Sequence, residues 1–335
     1  MDWSKGYSAT FYACIVDKSS WRDIERFEIT GGSINRTLEG LRCSADIDTK
    51  GYIYEEEKYI RIYLDTEQSG ATSHVPLFTG LATTPSRDID GYYEANKLQC
   101  YSVLKAAKDI LLDRGYYVPA GASIGDIIKN LLSVVPAPVE IADGAPKLLY
   151  SIVAEEGETP LSMVDKVLGA IPDWRMVVLG DGTLRVEERP TEAKYKFDPV
   201  EADFIEPTLK VTYDWYEAPN CFRAIGDNLC AVARDDDPES KLSTVSRGRE
   251  IWAQETSVKL STEQSIAEYA VNRLKELQQL SLTASYKRRF APSVGVGDCV
   301  LLHYPVQGLD GTFRIISQKI ELGHNATTSE EVEKI

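Results

Sequence analysis

The stretch 121–125, GASIG, matches the pattern G-x-S-x-G with Ser123 at its centre. In α/β hydrolases this pattern holds a nucleophilic serine on a sharp turn between a buried strand and a helix. Here Pro119 interrupts the approaching segment, and the whole chain has three histidines from which a catalytic base could come. The spacing therefore favours a helix N-cap, in which the Ser123 hydroxyl accepts a hydrogen bond from the backbone NH of Asp126. A serine hydrolase that uses Ser123 is the alternative.

The other groups of titratable residues lack the spacing of a metal or acid–base site. The aspartates at 235–237 are contiguous, whereas metal-binding carboxylates on a loop are usually spaced so that they converge. The glutamates within 155–158 have no histidine or metal motif beside them, which favours a solvated helix entry over paired catalytic carboxylates. The six cysteines contain no C-x-x-C pair. We therefore predict no cofactor, no metal ion, and mostly buried, reduced thiols.

The composition indicates a large, acidic, globular chain. Its 335 residues suffice for two to four domains, and its hydrophobic content of 43% lies in the globular range. The net charge of -15 argues against specific binding of nucleic acid or anionic membranes, because clustered Lys and Arg bind phosphate groups. No window approaches 18 consecutive apolar residues, so we expect no membrane insertion. The N-terminal apolar run is interpreted as a strand rather than a signal peptide, and we expect assembly in the cytoplasm.

Residues 1–101 alternate between apolar and polar side chains, as half-buried strands do. Six strands at spacings of about a dozen residues predict a β-barrel or a β-sandwich. The predicted strands are 8–16, 24–29, 37–47, 58–64, 75–82 and 92–100. The Asp-Gly pair at 90–91 predicts a hairpin turn between the last two of them.

The rest of the chain mixes helices and strands. Apolar residues at helical spacing predict helices at about 102–113, 124–132, 160–168 and 261–278, the last one capped by Ser261 and Gln264. The Gly-Asp-Gly sequence at 180–182 predicts a hairpin. Later strands are predicted at 209–215, 221–225, 282–288, 299–304 and 312–322. The polar residues from His324 onward are expected to be frayed.

Taken together, the order and spacing of these segments resemble those of the baseplate hub, or tail hub, proteins of tailed bacteriophages and phage tail-like particles. The resemblance covers nearly the whole chain. Its motifs are LFTGLA (77–82), VLKAAKDILL (103–112), VPAGASIGDII (118–128), GETPLSMVDKVL (157–168), GDGTLRV (180–186), PNCFRAIGD (219–227), TEQSIAEYAVNRLKEL (262–277), VGVGDCVLL (294–302) and GLDGTFRIIS (308–317).

The resemblance implies an α+β fold that is mainly β, with two tube-like β-barrel domains and a small α/β helical region inserted between them. The first barrel is expected at 1–103 and the inserted region at 104–204. The second barrel is expected within 205–323, built from about 205–255 and 280–323 and including the helix at 261–278. Residues 324–335 would form the polar tail.

The resemblance also implies a structural virion protein rather than an enzyme. Such a protein is a homotrimer at the tail tip, or baseplate. It joins the hexameric tail tube to a trimeric central spike or tip protein and lines the DNA passage, a role that an acidic chain permits because like charge keeps DNA from adhering. Contacts between subunits are expected through edge strands and two loops. The predicted interface residues are Leu77, Phe78, Thr79, Gly80, Leu309, Asp310 and Gly311.

A carbohydrate-binding module for attachment to the host is a further alternative, suggested by 18 tyrosines and five tryptophans. The tryptophans are scattered singly along the chain. Core or interface packing therefore explains them more simply than a sugar-binding platform does.

Overall fold

The computed structural model describes the chain except at positions 1, 2, 4, 52–55, 91–92, 172, 198–208, 214, 217, 227, 257, 259–261, 280–281, 308 and 324–326. Strands dominate it, as the sequence predicts. Three residues used in the predictions lie outside the described part of the chain. They are Gly91 of the first hairpin turn, Ser261 of the predicted helix cap and His324 at the start of the predicted tail.

The first block consists of six antiparallel strands whose hydrogen-bonded pairs form a closed circuit. The pairs run β1–β4–β5–β6–β3–β2 and return from β2 to β1. The strands are β1 (Ser8–Val16), β2 (Asp23–Thr37), β3 (Cys43–Thr49), β4 (Lys58–Gln68), β5 (Ala71–Asp90) and β6 (Tyr93–Ser102). Their inward side chains, such as Ile34, Ile62 and Phe78, form one apolar core. The predicted first set of six strands is therefore confirmed.

The inserted unit combines three short helices with small sheets around a second core. In chain order its elements are α1 (Lys105–Lys108), β7 (Tyr117–Val118), α2 (Ile124–Leu131), β8 (Val139–Ile141), β9 (Ile152–Val153), α3 (Pro160–Gly169), β10 (Trp174–Val178) and β11 (Leu184–Glu188). The hairpin predicted around 180–182 is present, since β10 and β11 are antiparallel. Thr159 and Ser162 form a reciprocal capping box at the start of α3.

After β12 (Ala193–Phe197) and β13 (Lys210–Tyr213), the chain forms a small unit of one sheet and two helices. Its elements are β14 (Cys221–Ile225), β15 (Cys230–Arg234), α4 (Thr244–Arg247), β16 (Trp252–Glu255) and α5 (Glu263–Gln279). The sheet has the order β15–β14–β16. Phe222 and Ala224 pack on Ile266, Ala270 and Leu274 of α5, which gives the small unit its own core.

The second block is completed by β17 (Leu282–Arg289), β18 (Cys299–Tyr304), β19 (Leu309–Glu321) and β20 (Thr327–Lys334), with a 3-10 turn at Pro305–Gln307. Its six strands are ordered β12–β18–β19–β20–β17–β13, around a core that contains Phe197, Phe313 and Val332. Strand β19 also pairs with β2, so that one sheet runs through both blocks.

The structure corrects four predictions about the elements. The helix expected at 102–113 is a single turn, α1, because the backbone NH of Leu112 instead donates to the carbonyl of Glu158 at 2.8 Å. The described cap of α5 is Thr262, whose Oγ1 accepts from the backbone NH of Ser265 at 3.1 Å. The Gln264 side chain donates to Glu268 and does not cap the helix.

The other two corrections concern the second block. The expected frayed tail forms β20, which lies between β17 and β19 with Val332 buried in the core. Strands β14–β16, which the sequence assigns to the second barrel, form the sheet of the small unit, while β12 from the predicted inserted region pairs with β18. The pairings of β20 with β17 and of β12 with β18 join segments that are distant in sequence.

Candidate assembly site

The predicted interface stretch 77–80 lies in the middle of β5, and all four residues are buried within the chain. Thr79 is the centre of a polar contact with the inserted unit. Its hydroxyl donates to the carbonyl of Gly180 at 2.8 Å and accepts from Arg61 Nε at 3.0 Å. In the single chain, this stretch therefore holds the turn of the β10–β11 hairpin.

Glycine at 180 is required by the close approach of two backbones. A Cβ atom at Gly180 would lie 1.9 Å from the carbonyl oxygen of Pro76, far inside van der Waals contact. The neighbouring carbonyl of Asp181 accepts from Trp21 Nε1 and from Arg61 Nη2, each at 3.1 Å. The hairpin turn thus packs directly against the backbone of β5 at Pro76, and its carbonyl groups accept hydrogen bonds from side chains of the first block.

A second contact between the first block and the inserted unit is built on Arg42. Arg42 directly precedes β3, and its side chain is almost fully buried. Its Nε donates to the carbonyl of Met176 at 3.2 Å, and its Nη2 lies 2.6 Å from a carboxylate oxygen of Asp165. Arginine suits the position because its planar fork can serve two acceptors at once.

Arg175 makes the corresponding contact between the inserted unit and the second block. Its Nη2 lies 2.7 Å from Glu187 of the same unit and 2.9 Å from Asp298 before β18, and its Nη1 donates to the carbonyl of Val296 at 3.3 Å. Lys194 Nζ binds the same Asp298 oxygen at 2.9 Å. Removing one member of such a buried ion pair is costly because the other charge stays buried and uncompensated.

The two blocks also meet directly. Strand β19 pairs with β2 from Ser317↔Thr37 to Glu321↔Ser33. Across this seam Arg36 donates to Gln318 Oε1 at 3.0 Å, and within the first block it donates to the carbonyl of Leu77 at 2.5 Å. Burial lowers the pKa of Arg36, and its hydrogen bonds satisfy part of the guanidinium.

A cleft of about 820 Å³ lies where the two blocks and the inserted unit converge, and both Arg42 and Arg175 line it. This arrangement fixes the two blocks relative to each other. It does so through a shared sheet and through arginines that connect the first block, the inserted unit and the second block. The contacts are specific in geometry, so a change at any of them would alter how the blocks are aligned.

The second predicted interface stretch, 309–311, lies at the start of β19 beside the tip of the β18–β19 hairpin. Leu309 is buried in the core of the second block. Asp310 is exposed and lies 3.1 Å from His303 Nδ1, and Gly311 has a φ of +143°, a conformation that favours glycine. Val306 at the tip is 91% exposed. This end of the hairpin, unlike 77–80, can reach another molecule.

Ser123 has the geometry of a helix cap. Its Oγ accepts from the backbone NH of Asp126 at 3.4 Å, and Ser123 directly precedes α2. The prediction of an N-cap is confirmed. Among the described residues, His74 binds Asp65 and Tyr12, and His303 binds Asp310, so neither histidine contacts this serine.

The cysteines are free thiols, and Cys230 is the exposed one among them. Burial raises the pKa of Cys14, Cys43, Cys221 and Cys299, and that of Cys100 more strongly, so these thiols are poor nucleophiles at neutral pH. Within the described part of the chain, no group of three or more His, Cys, Asp or Glu side chains converges on a possible metal position. No described helix is both long and apolar enough to cross a membrane.

Sequence patterns missed the arginines that join the units. Alternation along β3 places Arg42 on the solvent face, and nothing near Arg175 in sequence signals a partner at Asp298. Of the five tryptophans, Trp174 is buried, Trp3 packs on Phe290 and Trp21 contacts Arg61. Trp215 and Trp252 are exposed.

The chain shares its fold with solved tail proteins. It superposes on the tail protein from Neisseria meningitidis MC58 with a TM-score of 0.71, covering 98% of this chain and 97% of that one at 14% identity. For the prophage MuSo2 43 kDa tail protein from Shewanella oneidensis the TM-score is 0.69, with 98% of each chain covered at 14% identity. For prophage tail protein gp18 from Listeria monocytogenes EGD-e it is 0.57, with 96% and 94% covered at 11% identity.

No protein-family model matches the chain, and no curated protein matches its sequence. At these sequence identities the structural likeness shows a common fold. It confirms the mainly β fold class that the resemblance in sequence implied.

Proposed function

We propose that this chain is a structural protein of a phage tail or tail-like particle, and specifically the hub of its baseplate or tail tip. The observation that carries this proposal is the fold, which matches two tail proteins over almost the entire length of each. A hub joins the hexameric tail tube on one side to a trimeric central spike or tip protein on the other. It is assembled in the cytoplasm of the bacterial host and remains at the tail tip of the virion.

The number of six-stranded blocks in each chain supports this role. Each chain carries two blocks of six strands, held side by side by the β2–β19 pairing. A homotrimer therefore presents six such blocks in a ring, which suits a six-fold tube, while its true symmetry is three-fold and suits a trimeric spike. The net charge of -15 is compatible with a central passage through which DNA moves without adhering.

The mechanism is geometric rather than catalytic. The contacts of Arg42, Arg175 and Gly180 set the angle between the blocks, and that angle decides whether three chains close into a ring. We place one contact between subunits at the exposed end of the β18–β19 hairpin, at Asp310 and Gly311, with Leu309 anchoring this end in the core of the second block. The stretch 77–80 contributes through the hairpin turn that it holds in position.

Light scattering on the purified chain tests the proposal. A homotrimer of 37.3 kDa subunits has a mass of about 112 kDa. A mass near that value, unchanged over a tenfold dilution, is the expected result. A stable monomer or dimer at all concentrations would contradict the trimeric hub.

A further inference from the structure

The small unit carries a sheet with one covered and one open face. In β14, Phe222 and Ala224 point toward α5, so Arg223 between them points the other way. Arg223 is paired with Val232 of β15 and with Gln254 of β16, which places these side chains on the same open face. Trp252, two residues before Gln254, shares that face.

This open face is organised around a cation and an aromatic ring. The guanidinium of Arg223 lies 5.1 Å from the centre of the Trp252 ring. The indole NH of Trp252 donates to Glu250 at 2.9 Å, which fixes the ring, and Trp252 is still 44% exposed. Val232 on the other side of Arg223 is also exposed. Trp, Tyr and Arg are the residues that most often dominate protein–protein binding energy.

A second arginine–aromatic pair lies close to the first one in sequence. Arg249, three residues before Trp252, has its guanidinium 5.9 Å from the ring of Tyr216, which is 75% exposed. The backbones of the two segments are tied together, since the NH of Asn220 donates to the carbonyl of Ile251 and its side chain to that of Arg249.

This surface presents two positively charged arginines, whereas the chain as a whole is negatively charged. In the part of the chain that the structure describes, neither Arg223 nor Arg249 forms an ion pair, and the nearby carboxylates of Glu250 and Asp236 are bound by Arg234. The whole chain has a net charge of -15. Two unpaired guanidinium groups beside exposed aromatic rings are therefore complementary to the acidic surface that another copy of the same chain presents.

The size of the face indicates how far the contact must extend. Two strands of five residues and one of four span roughly 14 by 17 Å, or about 240 Å². A stable interface buries about 800 Å² on each partner. The open face alone is too small, so the contact must extend onto the surface around it.

We propose that the open face of the β15–β14–β16 sheet, with Arg223 and Trp252 at its centre, is a subunit interface that binds the acidic surface of a second copy. The inference rests on the homotrimer proposed above and names one of its contacts. The interface is heterologous, since a cationic and aromatic surface on one copy meets a different, acidic surface on the next, as closure of a ring requires.

The test compares three variants with the unchanged chain by light scattering, at equal concentration in buffer of physiological salt. Arg223→Glu reverses the central charge, and Trp252→Ala removes the aromatic ring. Arg22→Glu is the matched control, because Arg22 is an exposed arginine of the first block and its replacement makes the same change in net charge. Thermal unfolding of each variant checks that the fold is retained.

We expect Arg223→Glu and Trp252→Ala to weaken subunit association at least tenfold each, so that on dilution the mass falls from about 112 kDa toward 37.3 kDa at concentrations where the unchanged chain keeps its trimer mass. Arg22→Glu should keep the trimer. If both interface variants remain trimeric, this inference is wrong while the hub proposal stands. If all three charge or ring changes dissociate the trimer, the effect is not specific to the face and the inference is also wrong. A monomeric unchanged chain would overturn both.

Discussion

Replacing Glu330 should destabilise the chain far more than its position near the C terminus suggests. Both Glu330 and Arg288 are almost fully buried, and they are diagonal neighbours on the adjacent strands β20 and β17. The carboxylate accepts from Arg288 Nε at 2.8 Å, from Arg288 Nη2 at 2.5 Å and from Gln318 Nε2 at 2.7 Å. Although burial disfavours its charge, the adjacent carboxylate raises the pKa of Arg288.

The variant Glu330→Gln keeps the size of the side chain but leaves the Arg288 guanidinium buried without a counter-charge. Breaking a buried ion pair in this way costs about 3–5 kcal/mol. For a cooperative unit of 150–250 residues, 1 kcal/mol lowers Tm by roughly 2–4 °C, so the expected decrease is roughly 6–20 °C.

Differential scanning calorimetry measures the effect directly. The neighbouring variant Glu331→Gln is the control, because Glu331 is exposed on the same strand and a surface change alters stability by about 0.5 kcal/mol or less. The double variant Arg288→Met with Glu330→Met removes both charges and should recover most of the loss, because an apolar pair of similar volume can replace a buried ion pair.

Hydrogen exchange on the same proteins locates the change. The amides of 327–334 should exchange slowly in the unchanged chain and faster in Glu330→Gln. If Glu330→Gln unfolds at the same temperature as Glu331→Gln, the C-terminal strand is not held by this pair and the reasoning is refuted.

Four further predictions follow from single contacts. Gly180→Ala should lower Tm by several degrees and separate the inserted hairpin from β5, because the added Cβ would overlap the backbone at Pro76; limited proteolysis should then cut the hairpin faster. Thr262→Ala should cost about 1 kcal/mol of unfolding free energy in urea, whereas Ser261→Ala should cost little, because Thr262 is the cap of α5. Ellman's reagent should modify one thiol in the native chain, at Cys230, and six after unfolding. Ser123→Ala should cost about 1 kcal/mol through the lost cap, and a fluorophosphonate probe should not label the unchanged chain.

Each of these has a control and a result that would contradict it. For the hairpin, Gly169→Ala places a Cβ in open space at the end of α3 and should be harmless; equal losses at both glycines would show that the close approach is not what matters. If Ser261→Ala and Thr262→Ala lower the unfolding free energy equally, Thr262 is not the cap of α5. A second reactive thiol in the native chain would mean that a buried cysteine is accessible, and labelling of Ser123 would restore the hydrolase alternative.

Local pattern was enough where a segment buries one regular face. The bounds predicted for β1, β14 and β18 match the structure to the residue, and so does the serine cap of α2. In each case the apolar residues repeat at the period of the element, and burial of that face determines the conformation.

Pattern failed where contacts distant in sequence decide the structure. Ile110 and Leu111 continue the helical spacing after α1, yet both are exposed because the chain leaves the helix to bond with Glu158. In β20 the inward residues are Thr328, Glu330 and Val332, and the alternation is hidden because two of the three are polar. Only the position of Arg288, 42 residues away in sequence, explains why a glutamate can be buried there.

The candidate site shows the same division. The turn at 180–182 could be predicted from its glycines, but its docking against β5 could not, because the requirement for glycine at 180 comes from a backbone 104 residues earlier in sequence. The pairs of Arg42 with Asp165 and of Arg175 with Asp298 likewise join segments more than a hundred residues apart.

Negative-stain electron microscopy of the purified chain tests the central claim most directly. The hub proposal predicts ring-shaped particles of about 112 kDa with three-fold symmetry, six lobes from the two blocks of each chain and an open central channel. Compact particles of the size of one chain, or rings whose symmetry is not three-fold, would contradict it.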